Sequence, residues 1–439
     1  MADVRTLRIA VLGAGMGGLA SALAFARKGF KHIDVYENAP NLGFVGAGIQ
    51  MPPNVICVLD HLGCWAEIEK DCTDVKATSI RQGSSNVELA HVNMPDLREK
   101  YGYPHCTGHR SSLANGLATA CKKENAIEFH FAHQVTSIDA FDPKPRFTSI
   151  TRTQMLALLG TEPQEDETGQ AAYRIMLRRE EMQHDAELLA LLDSDTVVRW
   201  IGERRHIIAY PVSSHTVYNV STAQPDTHFA AATNATYTTR GSKQAMLDVY
   251  RDFCPLVQRM LALVADGDVC EWKLRVHRPL PTWVHGAVAL AGDACHPTLP
   301  HLSQGAAMAI EDGAVLAECV SRAPAVDPAT LSRCLKTYEL IRKEHTSTLV
   351  DMAAFSGRTL HLGEGKAREE RDSQFREGDK TGSLPDKWAS PDVQKMIYSH
   401  NWIQEAQESF EQLSMKRCLY KCQYLYRNFN KIQPTVIVS

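Results

Sequence analysis

The apolar positions of the first forty residues change period twice. Leu7 to Leu12 form a short apolar run, the pattern of a strand buried on both faces. Residues 13–18 are glycine-rich and predict a turn. Leu19 to Lys28 is rich in Ala and Leu, which predicts a helix, and Gly29 ends it. Ile33 to Tyr36 is the next strand, completing a βαβ unit. Residues 53–70 predict a helical region. Ser111 to Lys123 predicts another helix, capped by Ser111 or Ser112. From Ile127 apolar and polar residues alternate as in a strand.

Residues 170–280 mix strand candidates (170–177, 205–212, 215–222) with helical ones (187–192, 243–253, 256–264). They read as a second lobe, a sheet flanked by helices. Residues 286–292 are again a buried strand, and Gln304 to Val320 a helix. The first lobe is therefore discontinuous, over 1–169 and 286–365, with the second inserted at 170–285; residues 366–439 form a helical region and tail. Residues 365–380 are a charge run, read as a solvated helix or loop. Residues 415–439 carry Lys416, Arg417, Lys421, Arg427 and Lys431 without an acid, and read as a poorly anchored extension with no assigned role.

Composition narrows the function classes. The 439 residues are 44% hydrophobic and 22% charged, with a net charge of -4, which gives no nucleic-acid footprint and no general attraction to membranes. No apolar stretch approaches the roughly 20 residues of a membrane span. The N-terminal residues reach a strand too soon for a secretory leader. The 12 cysteines show no CxxC and no zinc spacing, so they read as reduced core thiols of a cytoplasmic protein. No metal constellation and no GxSxG nucleophile motif occurs.

Gly13-Ala14-Gly15-Met16-Gly17-Gly18 matches GxGxxG between a strand and a helix. Gly13 permits the tight turn, Gly15 lets the backbone approach a pyrophosphate, and Gly18 lets the helix pack closely on the sheet. Glu37 ends the second strand, where a carboxylate accepts hydrogen bonds from ribose hydroxyls. The motif alone does not separate NAD from FAD. A second string, residues 291–313, ends a buried strand at Gly292-Asp293, passes a Pro-rich loop, and starts a small-residue helix near Gly305. Two shorter strings are Gly46-Ala47-Gly48-Ile49, followed by Pro53-Asn54, and His109-Arg110-Ser111-Ser112-Leu113.

With these motifs in this order over about residues 7–410, the chain resembles the class A FAD-dependent aromatic hydroxylases, most closely the fungal salicylate hydroxylase-like monooxygenases. The similarity extends to Ile397-Tyr398-Ser399-His400. The resemblance implies an α/β fold, a Rossmann-type FAD-binding domain with an inserted α+β substrate domain. It implies FAD held by Gly13, Gly15, Gly18, Glu37, Gly48, Arg110, Asp293, Gly305 and Ala306. In that scheme Asp293 binds the ribityl chain. Gly305 and Ala306 set a helix N-terminus against the pyrimidine ring, where its positive end stabilises negative charge. NAD(P)H is the co-substrate, and the single GxGxxG leaves it no domain of its own, so it binds transiently.

The implied reaction is hydroxylation of a small phenolic or hydroxybenzoate-type substrate by O2, in fungal secondary metabolism or aromatic degradation, with loss of CO2 left open. Arg174 and Tyr210 match the group's active-site pair. Arg174 would hold a carboxylate or phenolate through its planar fork. Tyr210 would hydrogen-bond the phenolic oxygen and assist its deprotonation. His296 reads as a satisfied loop histidine, and the oligomeric state is open.

One departure stands out. The group carries a strand and an Asp-Gly turn before the second lobe. Here the chain runs Phe141-Asp142-Pro143-Lys144-Pro145-Arg146, and only Ser149 and Arg152 resemble the end of that motif. The strand, its loop and the Asp-Gly are absent, a loss of about 20 residues. Weaker flavin holding and lower stability are expected. On the residues alone two other readings stay open, a flavin oxidase or dehydrogenase that inserts no oxygen, and a degenerate relative without enzymatic activity.

Overall fold

A strand covered on both faces needs apolar side chains on both, and β1 (Arg8–Leu12) meets that condition with Ile9, Ala10 and Val11 all buried. The computed structural model describes residues 3–43, 47–94, 96–140, 146–149, 165–228, 238–381, 383–416 and 435–438. Gly46, residues 141–145, Arg152, Arg417, Lys421, Arg427 and Lys431 lie outside them.

The strands after β1 are β2 (His32–Glu37), β3 (Gly48–Met51), β4 (Thr73–Asp74), β5 (Ala77–Gln82), β6 (Glu88–Asn93), β7 (Cys106–His109), β8 (Ile127–Phe131), β9 (Val135–Ala140) and β10 (Arg146–Ser149). They continue with β11 (Glu165–Arg178), β12 (Thr196–Gly202), β13 (Arg205–Val212), β14 (Val217–Pro225), β15 (Thr238–Arg240), β16 (Cys270–His277), β17 (Val284–His285), β18 (Val288–Ala289) and β19 (Thr435–Val438). Among the described residues the helices of eight residues or more are α1 (Met16–Arg27), α2 (Pro53–His61), α3 (Arg110–Lys122), α4 (Pro255–Ala262), α5 (Gly305–Ser321), α6 (Pro328–Leu360), α7 (Lys366–Thr381), α8 (Pro391–Tyr398) and α9 (Trp402–Lys416).

The first sheet has the order β17-β18-β19-β1-β2-β8 and is parallel except for the β17–β18 hairpin. Helices α1 and α5 cross closely because glycines face small residues. A Cβ at Gly313 would stand 2.6 Å from Ser21 Oγ, and one at Gly17 would stand 3.1 Å from Ala309 Cβ. The second sheet has the order β15-β16-β11-β14-β13-β12-β5-β6, antiparallel except for β12–β5. Strand β13 is apolar on both faces. Ile207 and Ala209 join a core with Trp200 and Tyr218, while Ile208 and Tyr210 point the opposite way.

The βαβ unit, the β11, β13 and β14 segments, and the helices at 186–192, 243–249 and 255–262 follow the sequence pattern closely. Several features differ from it. Strands β5 and β12 carry no clear alternation, being buried at nearly every position, and β5, with the half-exposed edge strand β6, joins the second sheet from within the segment assigned to the first lobe. Helix α3 starts at Arg110, one residue before the expected serine caps, because the His109 ring accepts from Ser111 N at 3.1 Å. The strand expected over 286–292 pairs only at Val288–Ala289, and Gly292–Ala294 is a 3-10 turn.

The charge run is helix α7. The extension expected to be poorly anchored instead ends inside the first sheet as β19, whose β-branched Thr-Val-Ile-Val suits a strand. No described helix is long and apolar enough to cross a membrane. None of the described cysteines forms a disulfide.

Candidate active site

A cleft of about 500 Å3 opens between the two sheets. Its first wall begins at the β1–α1 turn. Gly13 has φ +98°, a value that L side chains rarely adopt, and its N–H donates to Tyr36 O at 2.8 Å. A Cβ on Gly18 would sit on the Gly13 carbonyl oxygen, whereas one on Gly13 or Gly15 would meet nothing within 4 Å. The turn is thus closed on the helix side and open toward the cleft. Helix α1 has Gly15 as N-cap and no side-chain cap, so its first N–H groups are left for an anion. Glu37 does not line the cleft. Its carboxylate accepts from Ala14 N at 2.8 Å and Ala39 N at 2.9 Å, and so braces the turn. Each oxygen keeps a further lone pair.

The same wall continues through the loop after β18. Gly292 has φ +60°, and its N–H donates to Asp312 Oδ2 at 2.8 Å. His296 Nε2 lies 2.6 Å from that oxygen. Arg342 Nε donates to Asp312 Oδ1 and its Nη2 to Glu311 Oε2, both at 2.7 Å. Asn54 Nδ2 donates to Glu311 Oε1 at 2.7 Å and Gln304 Oε1 at 3.1 Å. Arg342, Glu311 and Asp312 are all 0% exposed, so the three charges are compensated by one another, by these bonds, and at Arg342 by the Met308 carbonyl at 3.2 Å and the Trp402 ring at 4.4 Å. Burial alone would raise the Asp312 carboxyl. The facing His296 and Arg342, with the hydrogen bonds from His296 and Gly292, outweigh it and hold the group down at about 2.

This network ties α2, α5 and α6 to the loop and leaves Asp293 exposed on the cleft rim. Sequence reasoning missed it. The available signal was Glu311-Asp312 inside an otherwise small-residue helix. Cys295, His296 and Asp312 also bring metal-type ligand atoms together. Both Asp312 oxygens are already committed, however, and a guanidinium stands beside them, so the cluster reads as structural. Gly305 and Ala306 open α5 at the cleft, again with no side-chain cap.

The second wall is made of side chains. Arg174 on β11 lies opposite Ser221 on β14, which in turn lies opposite Ile208 on β13, and all three line the cleft. The Arg174 guanidinium stacks over the Trp272 ring at 4.9 Å, and its buried Nε has no protein partner. Burial and then the charge of Arg110 lower its pKa, but a guanidinium stays charged. Burial pushes the Tyr210 phenol well above its ordinary value, against a smaller opposing pull from Arg174. Tyr210 is therefore a neutral O–H at physiological pH.

Asn219, paired with Tyr210 in register, accepts from Gly48 N at 2.7 Å through Oδ1, while its Nδ2 is buried without a partner. A Cβ at Gly48 would stand 2.6 Å from Asn219 Cγ and 2.8 Å from Tyr210 Cε2, so only glycine fits where the walls meet. Arg110 lines the cleft from the start of α3, its N–H donating to Ala47 O at 3.1 Å. Asn219 and Ser221 carry no sequence motif and were not anticipated.

Every residue that the sequence offered as a flavin or active-site candidate, except Glu37, therefore lines one cleft. Two uncapped helix N-termini, an open glycine turn and the unpartnered Arg174 Nε form a cradle that fits a dinucleotide with an anionic or phenolic molecule beside it.

Comparison with known proteins agrees with this geometry. Residues 11–65 match the NAD(P)-binding Rossmann-like domain family. The chain is 31% identical over 352 residues to a 6-hydroxynicotinate 3-monooxygenase of Bordetella bronchiseptica, covering 77% of this chain and 88% of that protein. It is 28% identical over 415 residues to the FAD-dependent monooxygenase atnJ of Arthrinium sp, covering 91% of this chain and 94% of that protein. Among solved structures, a salicylate hydroxylase substrate complex superposes with a TM-score of 0.73 at 18% identity, covering 93% of this chain and 98% of that one.

Proposed function

Because the chain belongs to the FAD-dependent aromatic monooxygenases, we propose that its cleft holds FAD along the glycine wall and a small phenolic acid against Arg174 and Tyr210. The chain is an FAD-dependent monooxygenase with NAD(P)H as co-substrate.

In that reading the α1 N-terminus and Gly15 take the pyrophosphate, Asp293 the ribityl hydroxyls, and the α5 N-terminus at Gly305 and Ala306 the pyrimidine edge. Glu37 keeps lone pairs for a ribose while bracing the turn. Bound FAD supplies the redox chemistry that passes reducing equivalents from NAD(P)H to O2.

The protein's own groups govern the substrate. The Arg174 fork takes the carboxylate, in a positive field that Arg110 reinforces. The Tyr210 O–H, kept protonated by burial, donates to the phenolic oxygen. It stabilises negative charge there as the phenolic proton is released to solvent at the cleft mouth, which enriches the ring in electrons. Ile208 and the enclosing sheets keep water off the ring.

The observation that carries this reading is the pair of cleft groups opposite the glycine wall, an Arg174 Nε without a partner and a neutral Tyr210 hydroxyl. The test compares NAD(P)H consumed with product formed over a panel of phenolic acids. Tyr210→Phe should still consume NAD(P)H, while the hydroxylation step falls by about 10²–10⁴-fold and H2O2 appears instead. A fully coupled variant at the wild-type rate would place the activating group elsewhere.

A further inference from the structure

The last described residues of the chain, Thr435–Val438, lie in the middle of the first sheet. Strand β19 runs parallel to β1 on one side, from Arg8 opposite Thr435 to Val11 opposite Val438. On the other side it runs parallel to β18, with Val288 opposite Ile437 and Ala289 opposite Val438. Both neighbours are buried, at Ile9, Val11, Val288 and Ala289. Val438 is itself 1% exposed and lines the cleft.

The two strands that β19 joins are the two that carry the cleft loops. Strand β1 runs into the Gly13 turn, and β18 leads to Gly292 and Asp293. Strands pair about 4.8 Å apart, so without β19 those two would face each other across a gap of about 10 Å. Both edges would then hold buried backbone groups without partners. No earlier segment fills the gap among the described residues: the two strands next before the second lobe, β9 and β10, pair only with each other.

We infer that β19 is the element that locks the two cofactor loops into one wall, so that the chain's own carboxyl-terminal strand sets how tightly the cofactor is held. This rests on the reading that the cleft takes FAD. Seating of the strand and binding of the cofactor are then linked, and each must favour the other. The apolar Val-Ile-Val meets the requirement of a strand buried on both faces. Val438 adds the side chain that closes the cleft floor between the loops.

Two measurements test this on the full chain and on one variant. The first is amide hydrogen exchange of the full-length protein with and without FAD. Residues 435–438 should be protected without FAD and slow with it by more than the core amides of the second sheet, whereas a strand that is only structural would slow no more than those do. Free exchange of these amides, or slowing no greater than that of the second sheet, would overturn the inference. The second is the FAD dissociation constant of a chain ending at Ile432, expected to rise at least roughly tenfold. An unchanged constant also overturns it. Should the shortened chain not fold, Val438→Asp in the full-length protein replaces it, with the same expected loss. A full-length protein that binds no FAD at all would defeat the functional reading itself, whereas tight binding indifferent to residues 433–439 defeats only the role of β19.

Discussion

The two walls of the cleft are built by different means. The wall on the first sheet is made of main chain, and its form depends on side chains being absent. Gly13 needs its positive φ, Gly18 leaves no room for a Cβ, and both helix N-termini lack side-chain caps. The wall on the second sheet is made of side chains standing on regular strands, Arg174, Ser221, Ile208 and Tyr210, with Asn219 buried beside Tyr210. A main-chain wall binds what all dinucleotides share. A side-chain wall can be changed one residue at a time without disturbing the sheet beneath. The proposed function accordingly puts the shared cofactor chemistry on the first wall and the choice of substrate on the second.

The difference is sharpest in what supports each wall. The loop after β18 depends on the buried network of Arg342, Glu311 and Asp312. Arg342→Met would leave two carboxylates buried without their partner. Stability should fall by about 3–5 kcal/mol, and flavin content with it, as read by denaturant unfolding and absorbance. An equivalent loss is not expected from Arg174→Lys, which sits on the second wall and supports no loop. Equal destabilisation by the two would erase the distinction between the walls.

A smaller pair of changes separates the ligands. Asp293→Ala should weaken FAD by roughly tenfold or more, the value of a charge-assisted hydrogen bond, with little change in substrate affinity once flavin is saturating. Arg174→Lys keeps the charge but loses the fork, so substrate KM should rise while the FAD dissociation constant holds. Titrations of both ligands against both variants give a two-by-two test. A variant that moves both constants alike would mean the walls do not divide the work.

Acid should reach the walls at different pH values. On β13, His206 Nδ1 lies 2.7 Å from His361 Nε2, with the His301 ring 5.2 Å from that of His206. Burial, then the neighbouring His361, His301 and Arg199, push His206 well below its ordinary range. Burial, then Arg199, brings His361 down to about 4. These rings are neutral when folded and take a proton only on unfolding. Their contribution is complete above the unfolded value near 6.5 and is lost as pH falls toward the folded one, by at most about 1.4 kcal/mol per pH unit for each ring.

Asp312, held at about 2, keeps its contribution until pH drops below its ordinary 3.8 and loses it toward 2. Residue-resolved hydrogen exchange against pH should show β13 loosening first and the loop at Gly292 last. The reverse order would contradict the assignment.

How much of this could be read from the chain follows the same division. Glycine marks a missing Cβ directly, so Gly13, Gly15, Gly18 and Gly48 were visible as letters. Arg174 and Tyr210 come from strands far apart in sequence, and only the resemblance joined them. The β11–β14–β13 register that brings them together has no local signature. Asn219 was invisible because a single Asn in a strand has no pattern of its own. Glu311 and Asp312 sit in a helix whose small residues announced close packing, but their partner Arg342 lies on another helix. Strand β19 was misjudged because the basic residues before it dominate the composition of residues 415–439, while four β-branched residues at the end find their pairing only in three dimensions.

The most direct measurement follows the oxygen atom. The full-length protein, loaded with FAD and supplied with NAD(P)H and a phenolic acid that it turns over, is run under oxygen-18 gas, with labelled water and ordinary oxygen as the control. The expected product carries one labelled oxygen from the gas and none from the water. A product oxidised without label, or turnover that proceeds without flavin, would contradict the assignment of this cleft to aromatic hydroxylation.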